Sequence, residues 1–233
     1  MDNAGRARQR MLALFLPIAA VLYISAEALS PKGTDQVATD TATALKLLAI
    51  AAKHPTQLYV AGTCAVLGLG ALAVSYAAIA ALARNRGAAL ATVAALIGGI
   101  GAFCGAIIEV LVFPNLAAAA TAHTTRGAAA QFLVTTFNSG FGHGFEYAYF
   151  IGIYVAPLLM GVALWRSRAV PRWLAVLFFA GLEVAQQQIS SGPVVILYML
   201  PFAAAMVLLA ARIWQAAALP ASRPQPEPAS VPA

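Results

Sequence analysis

Residues 88–113, AALATVAALIGGIGAFCGAIIEVLVF, decide the class of fold, because this run contains a single charged side chain, Glu109. An α-helix rises about 1.5 Å per residue, so roughly 20 apolar residues cross the ~30 Å hydrocarbon core of a bilayer. The run is long enough and apolar enough to do so. It predicts a membrane helix with one carboxylate near its end.

The composition of the whole chain agrees with that prediction. The 233 residues are 61% hydrophobic and 9% charged, whereas soluble domains carry about 25% charged residues. The net charge of +6 comes from arginines in short clusters between apolar runs, without the basic stripe that nucleic-acid binding requires. We therefore expect the lipid bilayer as the environment and no nucleic acid as a partner. The two cysteines, Cys64 and Cys104, form no CxxC metal pattern.

Five other runs meet the same length requirement, and the fold class expected is all-α, a polytopic membrane bundle of six helices. We predict spans at residues 11–29, 57–83, 88–113, 145–165, 172–190 and 193–213. The first run is longer than the apolar core of a signal peptide and is followed by other spans, which favours a retained anchor. Residues 1–10 then form a basic N-terminus, residues 11–214 the membrane domain, and residues 215–233 a disordered, proline-rich tail.

Basic residues predict the orientation, because short cytoplasmic loops are enriched in Lys and Arg. With the N-terminus inside, the outer side carries Lys32, Lys46, Lys53 and Arg126. The other arginines fall inside: Arg6, Arg8, Arg10, Arg84, Arg86, Arg166, Arg168, Arg172, Arg212 and Arg223. Trp165, Trp173 and Trp214 fall at the same inner ends, where indole rings anchor helices. We expect a multi-pass protein of the bacterial plasma membrane with both termini in the cytoplasm.

Two outer segments have helical apolar spacing, TDTATALKLLAIAAKHP at residues 39–55 and NLAAAATAHTTRGAAAQFLVTTFNSG at residues 115–140. We predict that both are amphipathic helices lying along the outer surface, partly in the interface, where they either cap a mouth between the spans or fill loop space.

Residues 11–86 and 88–168 also resemble each other. ALARNR at residues 81–86 matches ALWRSR at residues 163–168, and the same offset relates Glu27 to Glu109, which suggests a parallel repeat.

Four of the eight acidic residues lie within or at the edges of spans. They are Glu27, Glu109, Glu146 and Glu183. Carboxylates in hydrocarbon are costly and are functional candidates by default. Glu109 follows Gly101 and Gly105 at steps of four, so these residues share a face, and small residues there let another helix approach closely. Glu27, at the outer end of its span, is equally well explained as a solvated helix end.

The stretch FGHGFEYAYF, residues 141–150, places His143 and Glu146 on one helical turn. Glu183 lies about 16 Å past Arg172, near mid-membrane, with Gln186 and Gln187 at its i+3 and i+4 positions. We expect these groups to line an outward-facing polar cavity. Four tyrosines are available there as hydroxyl donors: Tyr23, Tyr147, Tyr149 and Tyr198.

Several functions fit such a cavity. It can bind or transport a small solute or cation, with protons as the coupling ion. Alternatively, a carboxylic acid can act as a general acid on a lipid or isoprenoid-like substrate. An HxxE pair can also contribute to a metal site, but one helix alone supplies it, and we expect neither metal nor cofactor. The chain can also be an accessory subunit or homo-oligomer whose Gly98, Gly101 and Gly105 face packs on a partner. Simple hydrogen bonding between helices explains the polar groups as well.

One pattern carries a family resemblance. LWRSRAVPRWLAVLFFAGL at residues 164–182, with GHGFEYAYFIGIYVAPLLMGVAL before it, resembles the second half of a widespread, functionally uncharacterised family of small six-helix bacterial membrane proteins. The matching turn residues are Arg166, Ser167, Pro171 and Arg172. The resemblance implies six helices and a bacterial plasma membrane. It implies no reaction and no catalytic residues.

Overall fold

The structure, a computed structural model, describes residues 3–34, 38–83, 85–122, 124–186 and 194–218. Within these ranges the chain is helical and contains no strand. Besides a short 3₁₀ turn at Asn85–Gly87, the described helices are α1 (Asn3–Leu29), α2 (Thr41–Ala51), α3 (Pro55–Ala80), α4 (Ala88–Thr121), α5 (Arg126–Phe137), α6 (Gly140–Ser167), α7 (Arg172–Gln186) and α8 (Val195–Ala218).

Five of these helices are long and apolar enough to cross a membrane, namely α1, α3, α4, α6 and α8. The prediction of an all-helical, multi-pass membrane protein is therefore confirmed at this level. The sixth predicted span, residues 172–190, is described as α7 up to Gln186, and its remainder lies outside the described residues. A sixth crossing stays a prediction.

Six helices pack in a closed ring that follows the order of the chain. α1 packs on α3, α3 on α4, α4 on α6, α6 on α7, α7 on α8, and α8 returns to α1. Large side chains fill the interior, among them Leu16, Tyr76, Phe178 and Phe202. Many apolar side chains on the outside are exposed, as expected for helices whose outer faces meet lipid rather than water.

Three glycines of α4 allow close contacts within the ring. A Cβ atom at Gly101 would collide with the backbone of Gly152 on α6. One at Gly98 would lie 2.6 Å from the Tyr76 ring, and one at Gly105 would lie 2.5 Å from the Tyr149 ring. The predicted small-residue face therefore does meet other helices. Its partners belong to the same chain, so this face is not a free surface for an accessory protein.

The third span was predicted to end at residue 113, and this boundary is wrong. α4 continues through Pro114 to Thr121. Gly62 of α3 leaves room for the proline, because a Cβ atom there would lie 2.8 Å from Phe113 Cβ and 3.0 Å from Pro114 Cδ. Beyond the proline, Leu116 and Ala117 are buried, so packing outweighs the missing backbone hydrogen bond.

Other predicted boundaries also shift. α1 begins at Asn3, so most of the basic segment 1–10 is helical and continuous with the first predicted span. Its place in the cytoplasm stays a prediction. α6 begins at Gly140 instead of residue 145, because the Ser139 hydroxyl caps it by accepting a hydrogen bond from the Gly142 N–H at 3.0 Å. α8 extends to Ala218, which includes the first residues of the predicted tail. Residues 219–233 lie outside the described part of the chain.

The two short helices α2 and α5 pack against each other, and α2 also contacts α4. We call this pair the cap, and the end of the ring that bears it the cap end. A separate hydrophobic cluster holds it together and includes Leu47, Leu48, Leu116 and Leu133. α2 and α5 lie within the two predicted outer segments, but residues 115–121 of the second segment belong to α4. That the two segments are amphipathic helices of the outer surface stays a prediction, as does their location in the membrane interface.

The opposite end, which we call the arginine end, has two arginine–tryptophan contacts. The Arg10 guanidinium lies 5.5 Å from the centre of the Trp214 ring and joins α1 to α8. The Arg172 guanidinium lies 5.1 Å from the centre of the Trp165 ring and joins α7 to α6. Each contact is a cation–π pair across a seam between neighbouring helices.

Candidate functional site

Toward the cap end, the ring gathers two glutamates and two tyrosines from three helices. Tyr23 and Glu27 are one turn apart on α1, Glu109 is on α4, and Tyr149 is on α6. The hydroxyls of Tyr23 and Tyr149 are hydrogen-bonded to each other. Both tyrosines are buried, and both glutamates are half-buried. We call these four residues the Glu27–Glu109 cluster.

The packing of the helices explains why these side chains meet. Gly105 lies under the Tyr149 ring and lets α6 approach α4 one turn before Glu109. The Tyr23 ring meets the edge of Phe202 on α8, with ring centres 6.4 Å apart, and this contact holds Tyr23 inside the ring. The tyrosine pair is therefore fixed by neighbours on both sides.

The two carboxylates lie close enough to interact electrostatically with each other and with both tyrosines. Two carboxylates in a low-dielectric site repel each other when both are ionised, so such a pair favours binding a proton or a cation. Carboxylate and hydroxyl oxygens are suitable ligands for hard cations. Among the described residues, no group of three or more His, Cys, Asp or Glu side chains forms a metal site.

Comparison with protein-family models, with curated proteins and with solved structures finds no match to this chain. The resemblance of residues 142–182 to a six-helix family therefore stays a prediction.

The internal repeat also stays a prediction. The element order does alternate twice between long, short and long helices, and the two glutamates related by the repeat offset, Glu27 and Glu109, are neighbours in the ring.

His143 and Glu146 form a pair of their own. Their Nδ1 and Oε2 atoms are 3.3 Å apart, with side chains 47% and 36% exposed. The carboxylate that acts on Glu109 is Glu27. No interaction within the described residues joins the His143–Glu146 turn to the Glu27–Glu109 cluster, so the cavity expected to be shared by these groups stays a prediction.

Glu183 occupies a third place, half-buried on α7. Its electrostatic neighbour is Tyr76 of α3, which sequence reasoning did not select. Tyr76 is 2% exposed, and its hydroxyl has no hydrogen-bond partner within the described ranges. The predicted site residue Gln187 lies outside the described residues. A tyrosine near the end of a span is usually an interface anchor, so the sequence offered no signal for its burial.

Two of the tyrosines proposed as hydroxyl donors do not reach the interior. Tyr147 is exposed on α6, and Tyr198 is exposed on α8. Tyr23 and Tyr149 are the pair that the ring buries. The polar interior at the cap end is therefore built from α1, α4 and α6.

A pocket of about 440 Å³ opens beside the cap, but its lining is basic. Lys32, Lys53 and His54 line it, together with Gln57, whose side-chain N–H donates a 2.6 Å hydrogen bond to the Leu29 carbonyl. This pocket differs in charge from the carboxylate-lined cavity that we expected from the sequence.

A second cavity of about 300 Å³ lies between α6 and α7, on the outside of the ring near the arginine end. We call it the α6–α7 groove. Its lining is apolar: α6 contributes Leu158, Gly161, Val162 and Trp165, and α7 contributes Ala175, Val176 and Phe179.

Proposed function

We propose that this chain is a multi-pass plasma-membrane protein that binds a proton or small cation at the Glu27–Glu109 cluster and moves it, alone or coupled to a solute. The proposal places both termini in the cytoplasm, which the distribution of basic residues favours, and takes the membrane to be the plasma membrane of a bacterium. The cap end then faces outward.

The observation that carries the proposal is the electrostatic interaction of two carboxylates from different helices with each other and with a buried, hydrogen-bonded tyrosine pair. A solvated helix end would explain Glu27 alone, but it does not explain a second acidic residue on α4 at the same place. A shared proton or cation relieves the repulsion between the two carboxylates. The tyrosine hydroxyls can accept from or donate to whatever binds there.

The first experiment measures protonation of the purified protein by infrared spectroscopy during a pH titration. We expect the carboxyl C=O band of the parent protein to change in the Glu109→Gln and Glu27→Gln variants. The Glu146→Gln variant is the matched control, because Glu146 is partly exposed and pairs with His143. If the Glu109→Gln and parent titrations coincide, the cluster does not hold a proton, and the proposal then depends on the cation flux measured in the second experiment.

The second experiment tests movement of the ion. Proteoliposomes that contain a pH-sensitive dye are given a proton gradient or a sodium gradient, and flux is followed with each variant. Flux in the parent protein and in Glu146→Gln, with loss in Glu27→Gln and Glu109→Gln, supports transport. If the parent protein gives no more flux than empty vesicles, the protein binds the ion but does not transport it.

A further inference from the structure

The α6–α7 groove opens to the outside of the ring, where lipid surrounds a membrane protein. Leu158, Val162, Trp165 and Val176 line it and are all exposed. From Leu158 to Trp165 the groove follows α6 for roughly 10 Å, about a third of the hydrocarbon thickness. It is therefore long enough for part of one acyl chain.

Gly161 makes the depression. A Cβ atom at this position would lie 3.2 Å from Phe179 Cβ and 3.4 Å from the Ala175 carbonyl oxygen, so α6 and α7 meet closely at the floor. The larger side chains on either side form the walls. An apolar floor of this kind gives the groove its shape but little selectivity. An acyl chain gains little free energy on entering it, because the chain moves from apolar lipid to an equally apolar protein surface.

Charge supplies the selectivity at one end of the groove. The Arg172 guanidinium lies over the Trp165 ring, which itself lines the groove. Two other exposed arginines lie at the same end, Arg166 in the last turn of α6 and Arg168 in the short connection to α7. None of these three arginines has an ion-pair partner in the part of the chain that the structure describes. Guanidinium groups bind phosphate in a fixed fork geometry.

We infer that the α6–α7 groove is a binding site for an anionic phospholipid, with one acyl chain along the groove and the headgroup phosphate at Arg172, beside Arg166 and Arg168. Basic pockets between membrane helices are suited to anionic headgroups. The cation–π contact with Trp165 fixes the Arg172 guanidinium at the groove end before the lipid arrives. This site is separate from the Glu27–Glu109 cluster, so either proposal can fail without the other.

The test uses Trp165 as its own probe. A variant with Trp173→Phe and Trp214→Phe keeps Trp165 as the one tryptophan, and it is reconstituted in vesicles that contain brominated phosphatidylglycerol or brominated phosphatidylcholine. Bromine on the acyl chain quenches fluorescence on contact. We expect phosphatidylglycerol to quench Trp165 at least five-fold more effectively at equal mole fraction, since each arginine near the surface contributes roughly that factor.

Two further variants separate the groove from general surface charge. Arg172→Gln should lower the preference for phosphatidylglycerol about five-fold, while Arg212→Gln, the same charge change on α8, should leave it unchanged. Val162→Phe fills the groove from its exposed wall and should weaken quenching by both lipids. Equal quenching by both lipids in the starting protein, or equal loss in the Arg172 and Arg212 variants, would overturn the assignment.

Discussion

The close approach between Gly101 of α4 and Gly152 of α6 gives the sharpest test of the fold. Gly101→Ala adds one methyl group, which would collide with backbone atoms rather than with a movable side chain. Overpacking a tight contact costs about 1–3 kcal/mol. The two helices can relieve the collision only by separating, so we expect the upper half of that range.

The substitution also removes a glycine from a helix, which by itself stabilises by about 0.5–1 kcal/mol. The net loss expected for Gly101→Ala is therefore about 1–2 kcal/mol. Gly99 provides the matched control, because it lies two residues away on the same helix and a Cβ atom there meets nothing within 4 Å. Gly99→Ala carries the helix-propensity gain without the collision and should stabilise by up to ~1 kcal/mol.

The assay is equilibrium unfolding of the purified protein in mild detergent, followed by loss of helical circular dichroism. Because both variants exchange glycine for alanine in α4, the difference between their free energies of unfolding gives the cost of the collision, about 2–3 kcal/mol. Shifts of the same sign and size in the two variants would refute the close packing of α4 on α6.

Two other predictions concern single polar groups. Tyr76→Phe should raise the free energy of unfolding by about 1 kcal/mol, since a buried unpaired hydroxyl costs ~1–3 kcal/mol. Tyr149→Phe should lower the free energy of unfolding by about 1 kcal/mol, because that hydroxyl is hydrogen-bonded to Tyr23. A lower free energy of unfolding in both variants would show that the Tyr76 hydroxyl has a partner. Hydrogen bonds from the Thr43 backbone N–H and hydroxyl hold the pKa of Asp40, the N-cap of α2, below its ordinary value of 3.8. That stabilisation is present above the ordinary value and is lost as pH falls through the lower folded-state pKa. Amide hydrogen exchange in α2, corrected for intrinsic rates, should rise at low pH in the parent protein and not in Asp40→Asn, and equal pH dependence in both would contradict the assignment.

The sequence predicts the helices well where the length of an apolar run agrees with the residues that mark helix starts and ends. Predicted spans begin at Ala88 and Arg172, and the helices α4 and α7 begin at the same residues. The prediction fails at Pro114, because a proline usually marks the end of a helix. Only the packed structure shows that Gly62 of α3 makes space for this proline and that Leu116 is buried beyond it.

The candidate site was accessible to sequence reasoning only in part. Helical spacing from Gly101 and Gly105 placed Glu109 on an inward face, and the glycine contacts of the ring agree with that placement. Spacing along one helix does not show which other helix packs against that face. The interaction of Glu109 with Glu27 could therefore be identified only once the packing order of the helices was known. We expected a single cavity for all the glutamates because their estimated depths in the membrane are similar. Residues at one depth can still lie on different sides of a ring of helices.

The ring order has a consequence for biogenesis. Helices that leave the ribosome one after another can each pack on the one inserted before, because neighbours in the ring are neighbours in the chain. The contact between α1 and α8, with Arg10 against Trp214, is the exception. Until α8 is inserted, α1 has an open flank in the bilayer, and a nascent chain that stops short of α8 should be recognised by membrane quality-control proteases through that flank.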